Sequence, residues 1–184
     1  MIKTAETTTT LRTGMRLTAF QVYDNATGEP VLTPKTYGKS ISADQLPEGF
    51  ERFFPVASTQ GLPAPLLLQI LELLREDVQD IRDVLVDIEL RMIGASLLIL
   101  YESDATRAEE GIKWMLRDPD EDEEEEDDDD DDDEDEPPRP YDVRLIDFAH
   151  TRFTPGKGPD EGLLLGLDTI LDQLDRRMAA VRST

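Results

Sequence analysis

Cysteine is absent from this 184-residue chain, so neither a disulfide nor a thiolate metal site can form within it. A single histidine, His150, excludes a zinc site built on several imidazoles. No apolar run approaches the roughly 18 residues needed to span a bilayer, so no membrane span is expected. Residues 1–10 are polar and rich in threonine. They contain no apolar stretch of the kind a secretory signal requires, which leads to the expectation of an intracellular protein, in the nucleus and/or the cytoplasm.

Positive charge is scarce, and the formal net charge is −23. One segment accounts for most of the imbalance, because residues 120–136 are all acidic. Taking those 17 from the 42 acidic residues leaves 25 against 19 basic ones, a balance of −6. Such a run repels itself and cannot be buried, so residues 118–136 are expected to form a disordered, solvated insert. Pro137, Pro138 and Pro140 stiffen the return to the fold. The block argues against direct nucleic-acid binding. It leaves basic proteins as conceivable partners, although low-complexity loops of this kind often act only as spacers.

The remaining chain alternates between strand-like and helix-like patterns. Residues 15–23 alternate in polarity and read as a strand, followed by turn chemistry at residues 24–28. Residues 31–37 read as a returning strand, placed at an edge by Pro34. Residues 42–45 look like a helix start, with Phe50, Phe53 and Phe54 facing inward. A long helix opens near Pro63 and Pro65 and carries Leu67, Leu71, Leu74, Val78, Ile81, Leu85 and Ile88 in alternating steps of four and three. The same steps form a heptad pattern, but three heptads inside a mixed chain read as a helix packed on a domain.

Residues 95–101 are almost wholly apolar and read as a buried strand. A short helix over residues 109–116 precedes the acidic segment, and a further strand over residues 143–146 ends at Asp147. The two apolar strands are expected to be antiparallel neighbours, since a long intervening loop adds little closure entropy. A loop around Gly156, Gly158 and Pro159 leads into a last helix, residues 160–181, with Leu164, Leu167, Ile170, Leu171 and Leu174 inside. Strands and helices are mixed without strict βαβ units, which gives an α+β fold class, mostly antiparallel sheet with packed helices.

A carboxylate just after a strand is held rigidly, and its oxygens suit a hard cation such as Mg²⁺. Asp147-Phe148 follows the logic of the Asp-Phe-Gly segment of protein kinases, where Asp holds metal and Phe anchors it in the core. Ile146-Asp147-Phe148-Ala149-His150 resembles the Ile-Asp-Phe-Ala-His motif of the inositol polyphosphate kinase family. Four further pieces follow in that family's order: Gly14-Met15-Arg16-Leu17 through Gln21-Val22-Tyr23; Tyr37-Gly38-Lys39-Ser40; Ala95-Ser96-Leu97-Leu98 with Tyr101-Glu102; and Pro159-Asp160-Glu161-Gly162 with Gly166-Leu167. The string from Thr154 to Glu161 looks most like the fungal multikinase branch.

The resemblance implies ATP-dependent phosphorylation of an inositol polyphosphate, with ATP and Mg²⁺ as cofactors. It implies that Asp147 is catalytic and binds Mg²⁺ and so the ATP phosphates, that Ser96 supports Asp147 or the metal shell, and that His150 contacts the inositol phosphate. Lys35 falls near a family position that touches substrate, and Lys39 lies beside it, where positive charge suits phosphate. The family's Pro-x-x-x-Asp-x-Lys-x-Gly signature does not occur here, and Ala95 stands where the family has the first Ser of Ser-Ser-Leu-Leu. Residues 1–117 and 137–184 are therefore expected to form the C-terminal lobe of such a kinase, without its N-lobe. An inactive pseudokinase and an acidic-loop binding protein remain the alternatives.

Overall fold

The computed structural model describes residues 6–25, 27–56, 61–117 and 139–184. The acidic segment, residues 118–136, lies outside the described residues, as do Pro137 and Pro138. In chain order the regular elements are α1 (Thr10–Thr13), β1 (Phe20–Tyr23), β2 (Pro30–Thr33), α2 (Lys35–Ser40), α3 (Leu46–Phe53), α4 (Ala64–Val86), β3 (Leu90–Met92), β4 (Ser96–Tyr101), α5 (Ala105–Met115), β5 (Tyr141–Ile146), β6 (Thr151–Phe153) and α6 (Glu161–Arg182). The strands form three two-stranded antiparallel ladders, β1 with β2, β3 with β6, and β4 with β5. This is the expected α+β class. Among the described residues no helix is long and apolar enough to cross a membrane.

Two long helices make the core. Leu67, Leu71, Leu74 and Val78 of α4 are fully buried, joined by Ile70, while Ile81 is only partly covered and Ile88 lies past the helix end. The α6 face opposite supplies Leu164, Leu167, Ile170, Leu171, Leu174, Met178 and Val181. Ion pairs join Glu72 to Arg182, Arg75 to Asp175 and Arg82 to Asp168. Partner numbers fall along α6 as they rise along α4, so the helices are antiparallel and α4 packs within the domain. These exposed pairs fix orientation and add little stability. Both ends are built as the residues suggest. Asp160 caps α6 by accepting from the N–H of Gly162 and Leu163, and Ser42 and Gln45 form a capping box before α3.

At the other end of the core lies an aromatic group. Phe50 and Phe54 are buried and Phe53 is partly covered, with Tyr101 ring centroids 5.6 Å from Phe53 and 5.4 Å from Phe54. The Tyr101 hydroxyl donates to the Phe53 carbonyl at 2.7 Å, and burial raises its pKa. The Arg177 guanidinium donates twice to the Phe54 carbonyl, at 3.0 and 2.8 Å. Tyr101→Phe is expected to destabilise the chain by about 1 kcal/mol, because a partly buried carbonyl loses its donor while the ring packing stays. The check is a lower urea midpoint at unchanged slope.

Four expectations differ from the structure. The strand expected over residues 15–23 is regular only at Phe20–Tyr23, because Leu17 packs against Gly38 of α2 and Gly49 of α3 and finds no strand partner. The strand expected over residues 31–37 stops at Thr33, and Pro34 instead precedes helix α2. Proline lacks an N–H for a ladder but suits a helix start. β4 is not fully buried. Leu98 and Leu100 are exposed, since a two-stranded ladder covered on one face leaves the other open. Phe148 is 55% exposed and does not anchor the Asp147 turn in the core.

Candidate active site

The β4–β5 ladder brings two of the five expected site residues to one end. Ser96 lies opposite Ile146, the residue before Asp147, so both sit at the same end of the ladder. Asp147 then turns sharply, with φ 69° and ψ 50°, and is the only non-glycine of positive φ among the described residues. The left-handed region costs a side-chain-bearing residue about 1–2 kcal/mol, least for Asp and Asn. That turn ends β5 and starts a short 3-10 turn over Phe148–His150. A strained conformation held by its surroundings is a frequent mark of a functional position.

The Asp147 carboxylate is exposed and does not cap the turn that follows it. Several other carboxylates have structural work: Asp160 caps α6, Asp104 caps α5 and Asp77 accepts from the Tyr141 hydroxyl at 2.9 Å. Asp147 has no such bond among the described residues. His150 closes the 3-10 turn with an exposed side chain, and its carbonyl accepts from the Ile93 N–H at 3.4 Å. Lys35 and Lys39 are exposed on α2, which packs through Tyr37 on Phe20 and beneath Arg52. No hydrogen bond or ion pair among the described residues joins them to the Asp147 turn. Two concave regions, of about 240 Å³ beside Arg12 and Arg176 and about 130 Å³ between β1 and β4, include none of these five residues.

Among the described residues no group of three or more acidic or histidine side chains could enclose a metal ion. A fully protein-built metal cage is therefore absent there. Asp147 remains suited to the sparser arrangement in which one or two carboxylates share a cation with phosphate oxygens.

The structure also brings in residues that the sequence reading passed over. Glu89 and Arg91, flanking Leu90 at the start of β3, grip the loop after β6. The Glu89 carboxylate accepts from the N–H of Gly156 at 2.7 Å and of Gly158 at 3.0 Å, and these bonds hold its pKa below the ordinary 4.5. A depressed carboxylate contributes stability that is fully present above the unfolded value and lost as pH falls through the folded one. The loop is accordingly expected to stay fixed at neutral pH and to loosen only below pH 4.5. Amide exchange at Gly156 and Gly158, followed from neutral to acid pH, checks this, and Glu89→Gln should abolish the transition. The one signal in the sequence was the polar–apolar alternation of residues 89–92, too short to separate a strand from a turn.

Asp147 on its left-handed turn, Ser96 across the ladder from the residue before it, and His150 three residues on are thus gathered at one end of the β4–β5 ladder of an α+β protein. The chain belongs to the inositol polyphosphate kinase family, whose model matches residues 1–175. It is 30% identical to the inositol polyphosphate multikinase of Saccharomyces cerevisiae over 203 residues, covering 94% of this chain and 56% of that protein. It is 25% identical to inositol hexakisphosphate kinase 1 of Mus musculus, covering 95% of this chain and 42% of that protein. The chain thus spans about half the length of the curated relatives it matches. The crystal structure of inositol phosphate multikinase Ipk2 from S. cerevisiae, in complex with ADP and Mn²⁺, superposes with a TM-score of 0.71 at 25% identity, covering 97% of this chain and 69% of that one.

Proposed function

We propose that this chain is the metal- and phosphate-binding portion of an ATP-dependent inositol polyphosphate kinase, with residues 1–117 and 137–184 forming one lobe around the acidic segment. The observation that carries the reading is Asp147, an exposed carboxylate with no bond among the described residues, held at a strand end on a strained backbone. The solved relative with ADP and Mn²⁺ supports a nucleotide and a divalent cation as the ligands. A cation held there would supply positive charge that offsets the negative charge developing on the phosphates during transfer.

Asp147 would hold that cation, and Ser96, next to it across the ladder, would steady the carboxylate or the outer shell of the metal. His150 would contact a phosphate of the inositol. Lys35 and Lys39 are four residues apart on α2 and so share one face, which would offer two charges to the acceptor's phosphates. In the reaction the acceptor oxygen would attack the γ-phosphorus in line and release its proton to solvent, the bond to the bridging oxygen would break, and ADP would leave. We infer further a multikinase-like preference, supported by the higher identity to the yeast multikinase than to the mouse hexakisphosphate kinase.

Product chemistry tests both levels. Inositol hexakisphosphate has no free hydroxyl, so a kinase acting on it must join phosphate to phosphate, whereas less phosphorylated inositols accept at a hydroxyl. The chain is incubated with radiolabelled ATP, Mg²⁺ and either acceptor. New phosphate esters on a tris- or tetrakisphosphate are expected. Diphosphate formed on the hexakisphosphate alone would overturn the multikinase preference, and no transfer to any acceptor would overturn the activity.

A further inference from the structure

The loop from β6 to α6 is gripped from outside by one strand. Glu89 and Arg91 are two residues apart at the start of β3 and so project to the same side. Glu89 takes the loop's donors. Its carboxylate accepts from Gly156 and Gly158, and its own carbonyl accepts from the Thr154 N–H at 2.7 Å. Arg91 takes the loop's acceptors, donating to the Gly158 carbonyl at 2.9 Å and the Lys157 carbonyl at 2.8 Å. Asp160 closes the far end by accepting from the Met92 N–H at 2.9 Å. Gly156 and Gly158, at φ 77° and 64°, supply the left-handed turns this path requires.

The backbone so fixed carries one cation between its two glycines, Lys157. Its side chain is exposed and its ammonium makes no ion pair among the described residues. The same strand holds the Asp147 turn, through the Ile93 N–H on the His150 carbonyl and the pairing of Met92 with Thr151. β6 is only three residues long, so His150 and Thr154 are about 13 Å apart along an extended chain. Held at both its donors and its acceptors, the loop fixes the Lys157 backbone relative to β3, the strand that also carries the Asp147 turn.

We propose that Glu89 and Arg91 are positioning residues that hold Lys157 against a phosphate group of the ligand bound at the Asp147–His150 turn. The inference rests on the kinase reading above. The shared chemistry is a phosphate, carried by the nucleotide or by the inositol, and a lysine is a compact charge suited to either. Affinities of the full chain for ADP with Mn²⁺ and, separately, for inositol hexakisphosphate are measured by calorimetry. The proteins are wild type, Lys157→Ala, Lys157→Arg, Glu89→Gln and the double variant Glu89→Gln with Lys157→Ala.

Lys157→Ala is expected to weaken one probe by about tenfold to a hundredfold and leave the other unchanged, which identifies the phosphate's source. Lys157→Arg should recover most of that loss. Glu89→Gln should weaken the same probe alone, yet add nothing in the Lys157→Ala background, because it acts through that side chain. Wild-type binding of both probes by Lys157→Ala overturns the inference and leaves the kinase reading standing. Additive losses in the double variant overturn the positioning role. A wild-type chain that binds neither probe overturns the kinase reading and the inference with it.

Discussion

Asp147→Asn is expected to lower phosphoryl transfer by about a hundredfold to a thousandfold or more while leaving the fold intact. The size follows from the loss of a preorganised charge that acts on the phosphates in the transition state. The preservation of the fold follows from the backbone. Asp147 sits at φ 69°, and asparagine is the non-glycine residue that tolerates the left-handed region best. The carboxylate caps nothing in the turn that follows it, so no structural bond is lost. An unchanged melting temperature beside a collapsed rate is therefore the signature. Asp147→Ala is the less informative variant, because alanine at this φ adds about 1–2 kcal/mol of strain. Near-normal transfer by Asp147→Asn would remove Asp147 from the metal role.

The second large effect is on stability. Gly14→Ala is expected to destabilise the chain by about 3 kcal/mol or more. Gly14 ends α1 at φ 71°, and a Cβ there would lie 2.3 Å from the Gly166 nitrogen and 2.7 Å from the Gly162 carbonyl oxygen. Both atoms are backbone, so no side chain can swing aside. The strain of the left-handed conformation, about 1–2 kcal/mol, adds to an overpacking cost of about 1–3 kcal/mol. For a chain of this size that corresponds to a fall in melting temperature of about 6–12 °C. Gly28 has the same φ of 71° with nothing within 4 Å of a Cβ, so Gly28→Ala carries the strain without the clash. Equal effects from the two variants would show that the contact of α1 with α6 is unimportant. That contact also includes the Thr169 hydroxyl on the Thr13 carbonyl at 2.7 Å.

What could be read from the residues followed the strength of their periodicity. The Leu67, Leu71, Leu74, Val78 stripe specifies one helix face, and those four side chains are fully buried. The antiparallel pairing of the strands expected over residues 95–101 and 143–146 was legible across the long acidic segment, because a long loop adds little closure entropy, and the ladder joins Ser96–Tyr101 to Tyr141–Ile146. That pairing put Ser96 beside Asp147. The short elements were not legible. β3 and β6 have three residues each, too few for alternation to stand out, and with them went the Glu89 and Arg91 clamp. Residues 35–40 carry Thr and Tyr and resemble a strand locally, yet Pro34 starts a helix there. The exposure of Phe148 was hidden for a different reason. Sequence shows that a residue is apolar, but the left-handed turn at Asp147 decides which way the next side chain faces.

Binding of ADP to the wild-type chain and to Asp147→Asn, each with Mn²⁺ and with a chelator, measures the metal role of Asp147. Mn²⁺ is expected to tighten ADP binding to the wild type, and the gain is expected to disappear in Asp147→Asn, with chelated affinities unchanged. An Asp147→Asn chain that keeps the full Mn²⁺-dependent gain would contradict that role.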